Sequence, residues 1–371
     1  MILCLTKKVQ DLFHVDNLTN YPQKDDYMWH VTVEFYDKKR LFVFTHVTTS
    51  YTLIFYGLKT KHLKNIELFF KESLKKALIF DGFTPTAADA FLEHQGSVSF
   101  GKTNNRSIIS NTTQRKFSTY GFLDHINIDD VFQKITSHRI NQMLGFDYKT
   151  PRELMEELIQ TLLDVTSSHV GYELDITINL ENENVMRRVI VPNYYTLDDL
   201  HIVIQKVFGW KNMHLHEFIN LKSNKSYTPL YDDIDGFEHS LNSKSISLDE
   251  AFDTFDEWIY TYDFGDDWKH RIFCRMSIHQ KEPIKTLCPH FEGENIPENV
   301  GGIPGLQSFK EIMKNKNHKE YRFYKNWLTE IEYEPFDHLF VNMSLTKEWP
   351  LGFKSSLLKL ISNKNPDFKD H

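Results

Sequence analysis

Cysteine is scarce here: Cys4, Cys274 and Cys288 are the whole complement of 371 residues. Three scattered thiols leave no basis for a disulfide framework or a four-cysteine zinc site, and they suit a reducing compartment. Long apolar runs are missing too. No stretch approaches the roughly 20 apolar residues of a membrane span, and Met1 to Leu5 meets Lys7-Lys8 too soon to form a signal h-region. The expectation is a cytoplasmic protein with no membrane partner. Also lacking are G-x-x-x-x-G-K-S/T, a strand-linked G-x-G-x-x-G, H-E-x-x-H and the G-x-S-x-G elbow. The common nucleotide, zinc-protease and hydrolase readings lose their best support.

Positive charge is short in one half only. Residues 1–165 carry 20 Lys and Arg against 19 Asp and Glu, whereas the remainder carries 23 against 32, for a net charge of −8 overall. An acidic second half argues against charge-driven binding to DNA or anionic membrane. What is abundant is apolar and aromatic surface, 40% and 14% of residues. That is ample for real cores, and the length favours two of them.

The pattern along the chain predicts α+β architecture in two domains, each a small antiparallel or mixed β-sheet with helices packed on one face. Residues 1–165 form the first, 171–345 the second, and 346–371 a tail with one weak helix at Lys354 to Ile361. In the first, Tyr27 to Phe35 and Arg40 to Thr45 read as a hairpin turning at Asp37-Lys38-Lys39. Leu63, Ile66, Phe70, Leu74, Ala77 and Leu78 share one helical face over Lys61 to Phe80. Thr84-Pro85 starts another helix, a strand covers Ser97 to Phe100, and Thr150 with Glu153 forms a capping box for a helix to Val165. Thr166 to Gly171 is small and polar and reads as the linker.

Beyond it, Tyr172, Leu174, Ile176, Ile178 and Leu180 alternate with polar residues, the mark of a half-buried strand. Arg187 to Val191 is a second strand, and Thr196 with Asp199 caps a helix that Gly209 ends. His214 to Asn220 resumes a strand, and Trp258 to Phe264 with Trp268 to Ile278 forms a hairpin. After Cys288 the chain reads as a Gly- and Pro-containing loop, followed by helices at about Leu306 to Lys316 and Tyr321 to Glu330.

Chemistry concentrates at three places. On one strand, His214 and His216 face the same way, and hairpin pairing would bring Asp266, Asp267 and His270 near them. Such a set suits a divalent metal in a hydrolytic site, and equally well histidines that are structural beside carboxylates that build a turn. Tyr260, Tyr262 and Phe264 share a face, as do Trp268, His270, Ile272 and Cys274. Core packing is the favoured explanation, with nucleobase stacking as the alternative if the rings are exposed. Lys102, Asn104, Asn105 and Arg106 lie in a polar turn suited to an anionic guest, or to plain turn-building and helix capping. Alternation sends Arg187 and Arg188 to opposite faces, so at most one serves an inward anion site.

The ordered motifs Arg187-Arg188-Val189-Ile190-Val191-Pro192, Leu197-Asp198-Asp199-Leu200-His201, Phe208-Gly209-Trp210, His214-Leu215-His216-Glu217-Phe218, Tyr262 to His270, and Cys288 with Pro297-Glu298-Asn299-Val300-Gly301-Gly302 resemble the plasmid pRiA4b ORF-3-like family. The resemblance spans Tyr172 to Asn342. This chain departs from it at Met186, where the family has Trp, at Asn295, where it has a second Cys, and at Asn299, where it has Asp. Residues Met1 to Ile159 resemble a bacterial domain of unknown function through Lys102 to Ser107 and Leu144-Gly145-Phe146.

The resemblance implies a bacterial setting of plasmids and insertion sequences. A resolvase label carried by some members has no support here, since no nucleophile stands among clustered arginines. The ligand-binding candidates are thus Lys102, Asn104, Asn105, Arg106, Arg187, Arg188, Trp210, Tyr262, Asp263 and Trp268. Three functions compete: a binding or adaptor protein of mobile elements or host defence that recognises nucleic acid or a protein partner, a metal-dependent hydrolase, and a small-molecule or nucleotide sensor with its pocket between the domains.

Overall fold

The structure, a computed structural model, describes residues 1–15, 18, 25–103, 106–145, 148–162, 167–180, 183–231, 236–237 and 239–346. Its first half runs β1 (Ile2–Leu5), α1 (Lys7–Phe13), β2 (Met28–Tyr36), β3 (Lys39–His46), β4 (Thr52–Tyr56), α2 (Thr60–Lys64), α3 (Ile66–Phe80), α4 (Pro85–Gln95), β5 (Ser99–Lys102), α5 (Arg106–Thr119), α6 (Lys134–Asn141) and α7 (Pro151–Leu162). The second runs β6 (His169–Asn179), β7 (Asn184–Pro192), α8 (Leu197–Phe208), β8 (His216–Asn220), β9 (Ser226–Thr228), β10 (Leu241–Asn242), α9 (Leu248–Ala251), β11 (Glu257–Tyr262), β12 (Trp268–Gln280), β13 (Leu287–Glu292), α10 (Gly302–Lys314), α11 (Tyr321–Glu330) and α12 (His338–Thr346). The chain is α+β, with one mixed sheet in each half. None of the helices described is long and apolar enough to cross a membrane.

The first sheet has the order β4-β3-β2-β1-β5, with β1 parallel to both neighbours. Alternation divides its residues between two faces. Trp29, Val31, Phe42, Phe44, Leu53 and Phe55 meet α3 and α4 in the main core, while Leu41, Val43, Ile54 and Tyr56 meet Ile126 and Ile140 on the other side. This sheet is therefore covered on both faces. The free edge of β4 is closed by α6: Asn141 accepts from the Thr52 amide at 2.7 Å and donates to the Thr52 carbonyl at 3.1 Å, and Ser137 Oγ accepts from the Ile54 amide.

The second sheet has the order β10-β9-β8-β11-β12-β6-β7-β13, antiparallel except for β9 with β10. One face of β6 supplies Leu174, Ile176 and Ile178 to the core, and the other carries Glu173 and Asp175, which pair with Arg188 and Arg275. At the β13 edge, Asn342 of α12 accepts from the Cys288 amide and donates to its carbonyl, at 2.8 and 3.1 Å. An edge strand left bare is a template for unwanted pairing, so both clamps have a clear physical use.

Several expectations need correcting. The helix expected over Lys61 to Phe80 is interrupted at Asn65, whose backbone is non-helical and which separates α2 from α3. Asparagine competes for its own backbone and so favours such breaks. The second domain's first strand begins at His169, inside the expected linker, because His169 pairs with Gln280. β13 carries the chain to Glu292 before the expected loop begins at Gly293, α10 starts at Gly302, ahead of the expected Leu306, and α12 was not anticipated. The helix expected at Lys354 to Ile361 lies outside the described residues.

The halves meet through polar contacts. Arg139 of α6 pairs with Asp199, the capping-box residue of α8. His125 Nδ1–H donates to the Lys244 carbonyl at 2.8 Å, and the Ser168 amide donates to the Gly82 carbonyl at 2.9 Å. Gly82 has φ of +89°, and a Cβ there would lie 2.4 Å from His169 Nδ1. Only glycine fits that approach.

Candidate functional site

The hairpin pairs Tyr262 with Trp268, leaving a loop from Asp263 to Asp267. Asp263, at φ +57°, turns the chain, and its Oδ1 accepts from the amides of Gly265 and Asp266. Asp266 accepts from the Gly301 amide at 3.0 Å and so ties the turn to the start of α10, while Asp267 pairs with Lys269 at the surface. Tyr260, Tyr262, Trp268, Ile272 and Cys274 are buried, which leaves only Phe264, past the end of β11, exposed. Base stacking on this hairpin has no exposed ring set to use; its aromatics are core.

His270 is fully buried. Its Nε2 accepts from Trp210 Nε1 at 3.0 Å, so its Nδ1–H donates to the carbonyls of Trp268 and Tyr260. Burial pushes its pKa down to about 3. His216 lies 3.5 Å from His201, ring on ring at 7°, and burial with that neighbour holds it well below the ordinary histidine range. His201 itself is pushed to about 4 by burial; it bridges the Tyr260 hydroxyl and the Asn212 side chain. His214 stands before β8 begins, 3.5 Å from Asp263 and 3.6 Å from Glu298.

The five metal candidates His214, His216, Asp266, Asp267 and His270 thus occupy separate surroundings. Among the described residues, no group of three or more His, Cys, Asp or Glu is placed to hold a metal ion.

Neutral buried histidines make the fold acid-sensitive. His270 binds its proton at about 3 when folded, against an ordinary 6.5, so its contribution is complete above 6.5 and is lost as pH falls towards 3. At pH 5 this residue alone costs about 2 kcal/mol. The melting temperature should fall steadily from pH 7 to pH 5; a flat profile would contradict the burial of neutral rings.

Arg187 and Arg188 do face opposite ways. Arg187 is wholly buried and donates to the carbonyls of Val207, Met186 and Glu292 at 2.7–2.9 Å and to Asn295 Oδ1 at 3.3 Å, with its guanidinium 3.9 Å from the Phe336 ring centre. It is a clamp on the end of α8, with four of its five N–H donors engaged by the protein itself. Arg188 is bidentate to Asp175 on the outer face. Lys102 is exposed at the end of β5, far along the chain from these; Asn104 and Asn105 lie outside the described residues, and Arg106 opens α5.

The strongest site lies beside the end of α8. A cleft of about 730 Å³ is lined by Gln205, Lys206, Trp210, Lys211 and Glu298 on one side and by the stretch from Ile331 to Ser344 on the other. Glu298 is only 5% exposed. Its Oε1 accepts from the Tyr262 hydroxyl at 2.6 Å, while Oε2 is buried with no hydrogen-bond partner. Burial raises its pKa, against the opposing pull of Tyr262, His214 and the Lys211 backbone amide. A buried carboxylate oxygen without a donor is costly, and such atoms concentrate where something else supplies the partner. Of the sequence candidates, Tyr262 and His214 meet this carboxylate directly, Asp263 pairs with His214, and Trp210 packs on Tyr262 and lines the same cleft.

A second cavity, about 600 Å³, lies at the junction of the halves, between Asp81, Phe122, His138, Leu144 and Arg152 of the first and His169, Tyr194 and Pro283 of the second. Asp81 accepts from the Tyr51 hydroxyl and is hydrogen-bonded to His138 Nδ1, each at 2.5 Å, and Tyr194 lies over the His138 ring. The first half contributes residues here that sequence reasoning did not single out: Asp81, His138 and Arg152 belong to three different helices or helix ends, and no local spacing signals their meeting. Glu298 was also missed as a site residue, although it stands inside the Pro297-Glu298-Asn299 motif.

Comparisons with known proteins agree with this division. The model of the plasmid pRiA4b ORF-3-like protein family matches residues 170–344, and that of a domain of unknown function (DUF6933) matches residues 2–154. The uncharacterized protein y4hQ of Sinorhizobium fredii is 31% identical over 163 residues, which are 43% of this chain and 82% of that protein. The crystal structure of the protein of unknown function MM3350 from Methanosarcina mazei Go1 is 30% identical, covering 46% of this chain and 97% of that one, with a TM-score of 0.40.

Proposed function

This chain belongs to the plasmid pRiA4b ORF-3-like family, and from that premise we propose that it is a binding protein whose recognition site is the cleft beside α8. The observation that carries this reading is Glu298, buried in the cleft wall with one carboxylate oxygen unpartnered. Pockets with a few convergent polar groups and a perturbed titratable residue are where ligands bind. The reading of a metal-dependent hydrolase draws less support, because its five residues are dispersed: Asp266 and Asp267 in the turn, His216 and His270 in the core, and His214 beside Asp263 and Glu298. In this reading the protein works in the cytoplasm, which its three free, buried cysteines suit.

The test is a thermal-shift screen of amines, amino acids, nucleotides and short peptides, run beside turnover assays on phosphodiesters and esters. At least one compound class should raise the melting temperature of the wild-type chain and leave Glu298→Ala unmoved. Turnover abolished by Glu298→Ala would overturn the reading in favour of catalysis. The junction cavity favours a second reading, a sensor in which a ligand bridges the two halves; a screening hit that survives Glu298→Ala but is lost in Tyr194→Ala would point there.

A further inference from the structure

We propose that the cleft beside α8 recognises a cation of the primary-amine or guanidinium type, seated against Glu298. This inference rests on reading the cleft as the recognition site, and it adds the chemistry of the guest. Four carboxylates line the cleft, Glu298, Glu332, Glu334 and Asp337, against two ammonium groups, Lys206 and Lys211.

Both lysines are already engaged across it. Lys211 donates to the carbonyls of Ile331 and Glu332 at 2.5 and 3.2 Å, and Lys206 to the carbonyl of Ser344 at 3.4 Å. Neither hydrogen-bonds to Glu298 Oε2, which has no partner. The nearest basic side chain to that carboxylate is His214, 3.6 Å from Oε1.

An anionic guest would meet this surplus of negative charge, and an apolar one would leave Oε2 buried and bare. An N–H cation satisfies both demands, since a charge-assisted hydrogen bond to a carboxylate is stronger than a neutral one. Aromatic rings complete the seat. Trp210, Tyr333 and Phe340 line the same cleft, and ring faces attract ammonium and guanidinium groups. The Tyr333 hydroxyl donates to the Asn295 carbonyl at 2.9 Å, which fixes that ring in the wall.

Asn295, which stands where relatives in the family were expected to carry a cysteine, accepts from Arg187 and donates to the Glu334 carbonyl, so it holds the two walls together. The free amine and the basic side chain of a peptide offer the same chemistry.

Isothermal titration of the full chain at low ionic strength separates the cases, with butylammonium, spermidine and Nα-acetyl-lysine amide as probes and butyrate and butanol as controls. Amines should bind, the controls should not, and Glu298→Gln should weaken binding at least ten-fold. Affinity should also fall with added salt, through screening of the exposed carboxylates Glu332, Glu334 and Asp337. Spermidine binding above the lysine amide identifies a free polyamine as the source, and the reverse order identifies a basic peptide.

Should Glu298→Gln fail to fold, the exposed rim variant Asp337→Asn should still weaken amine binding several-fold, and Glu257→Gln on the outer face should leave it unchanged. The inference is overturned if amines do not bind while another screening hit still depends on Glu298. If no compound of any class binds the cleft, the binding reading itself falls.

Discussion

Replacing Arg187 by methionine should destabilise the second half by about 3–5 kcal/mol, since several buried acceptors are left unpaired at about 1–3 kcal/mol each. Three backbone carbonyls and Asn295 lose their donor, and the ring of Phe336 loses the guanidinium stacked on it. Burial lowers the Arg187 pKa to about 10, so it stays protonated at neutral pH. Its charge sits by the Val207 carbonyl in the last turn of α8, where the helix dipole favours a cation.

Arg187→Lys should not rescue the loss, because a single ammonium cannot span acceptors that a planar fork reaches together. Calorimetry should show the relevant transition roughly 10 °C lower in Arg187→Met, from the usual shift per kcal/mol for units of this size. A shift under 2 °C would mean that water or a shifted side chain takes over these acceptors.

Substituting Gly82 by alanine should cost about 2–4 kcal/mol, combining left-handed backbone strain with a clash. The new Cβ would stand 2.4 Å from Nδ1 and 2.5 Å from Cε1 of His169, so the ring must leave its place beside Arg152. That ring comes from the other half of the chain. The effect should therefore appear as weakened coupling between halves, with broadened or split melting.

His169→Ala in the same chain should recover the clash but not the strain, and the double-mutant cycle should return about 1–2 kcal/mol of interaction between the two positions. Additive effects would show that Gly82 matters for its backbone alone.

Local rules carried the sequence reading where structure is local. Thr150 with Glu153 and Thr196 with Asp199 form the reciprocal hydrogen bonds that their spacing implies. The alternation of β6 and the opposed faces of Arg187 and Arg188 also follow from period two. What escaped was set by distant partners. β13 carries Pro289, His290 and Glu292 on an edge, so its sequence lacks the apolar alternation of a central strand.

The His214 and His216 pairing misled because β8 begins only at His216, where Tyr262 sets the register. His214 therefore turns to Asp263 and Glu298, and His216 turns to His201. The cleft residues come from three separate stretches, Gln205 to Lys211, Asn295 to Glu298 and Ile331 to Ser344, and no spacing rule predicts their convergence.

The two asparagine clamps bear on how a partner can approach. Asn141 and Asn342 each occupy both backbone groups of one residue on an outermost strand, in the place a neighbouring strand would take. Recognition by strand addition, in which a guest peptide extends a sheet, is blocked at β4 and at β13. A guest strand would have to displace the clamping asparagine before it could pair there, so contacts at β4 and β13 are left to side chains.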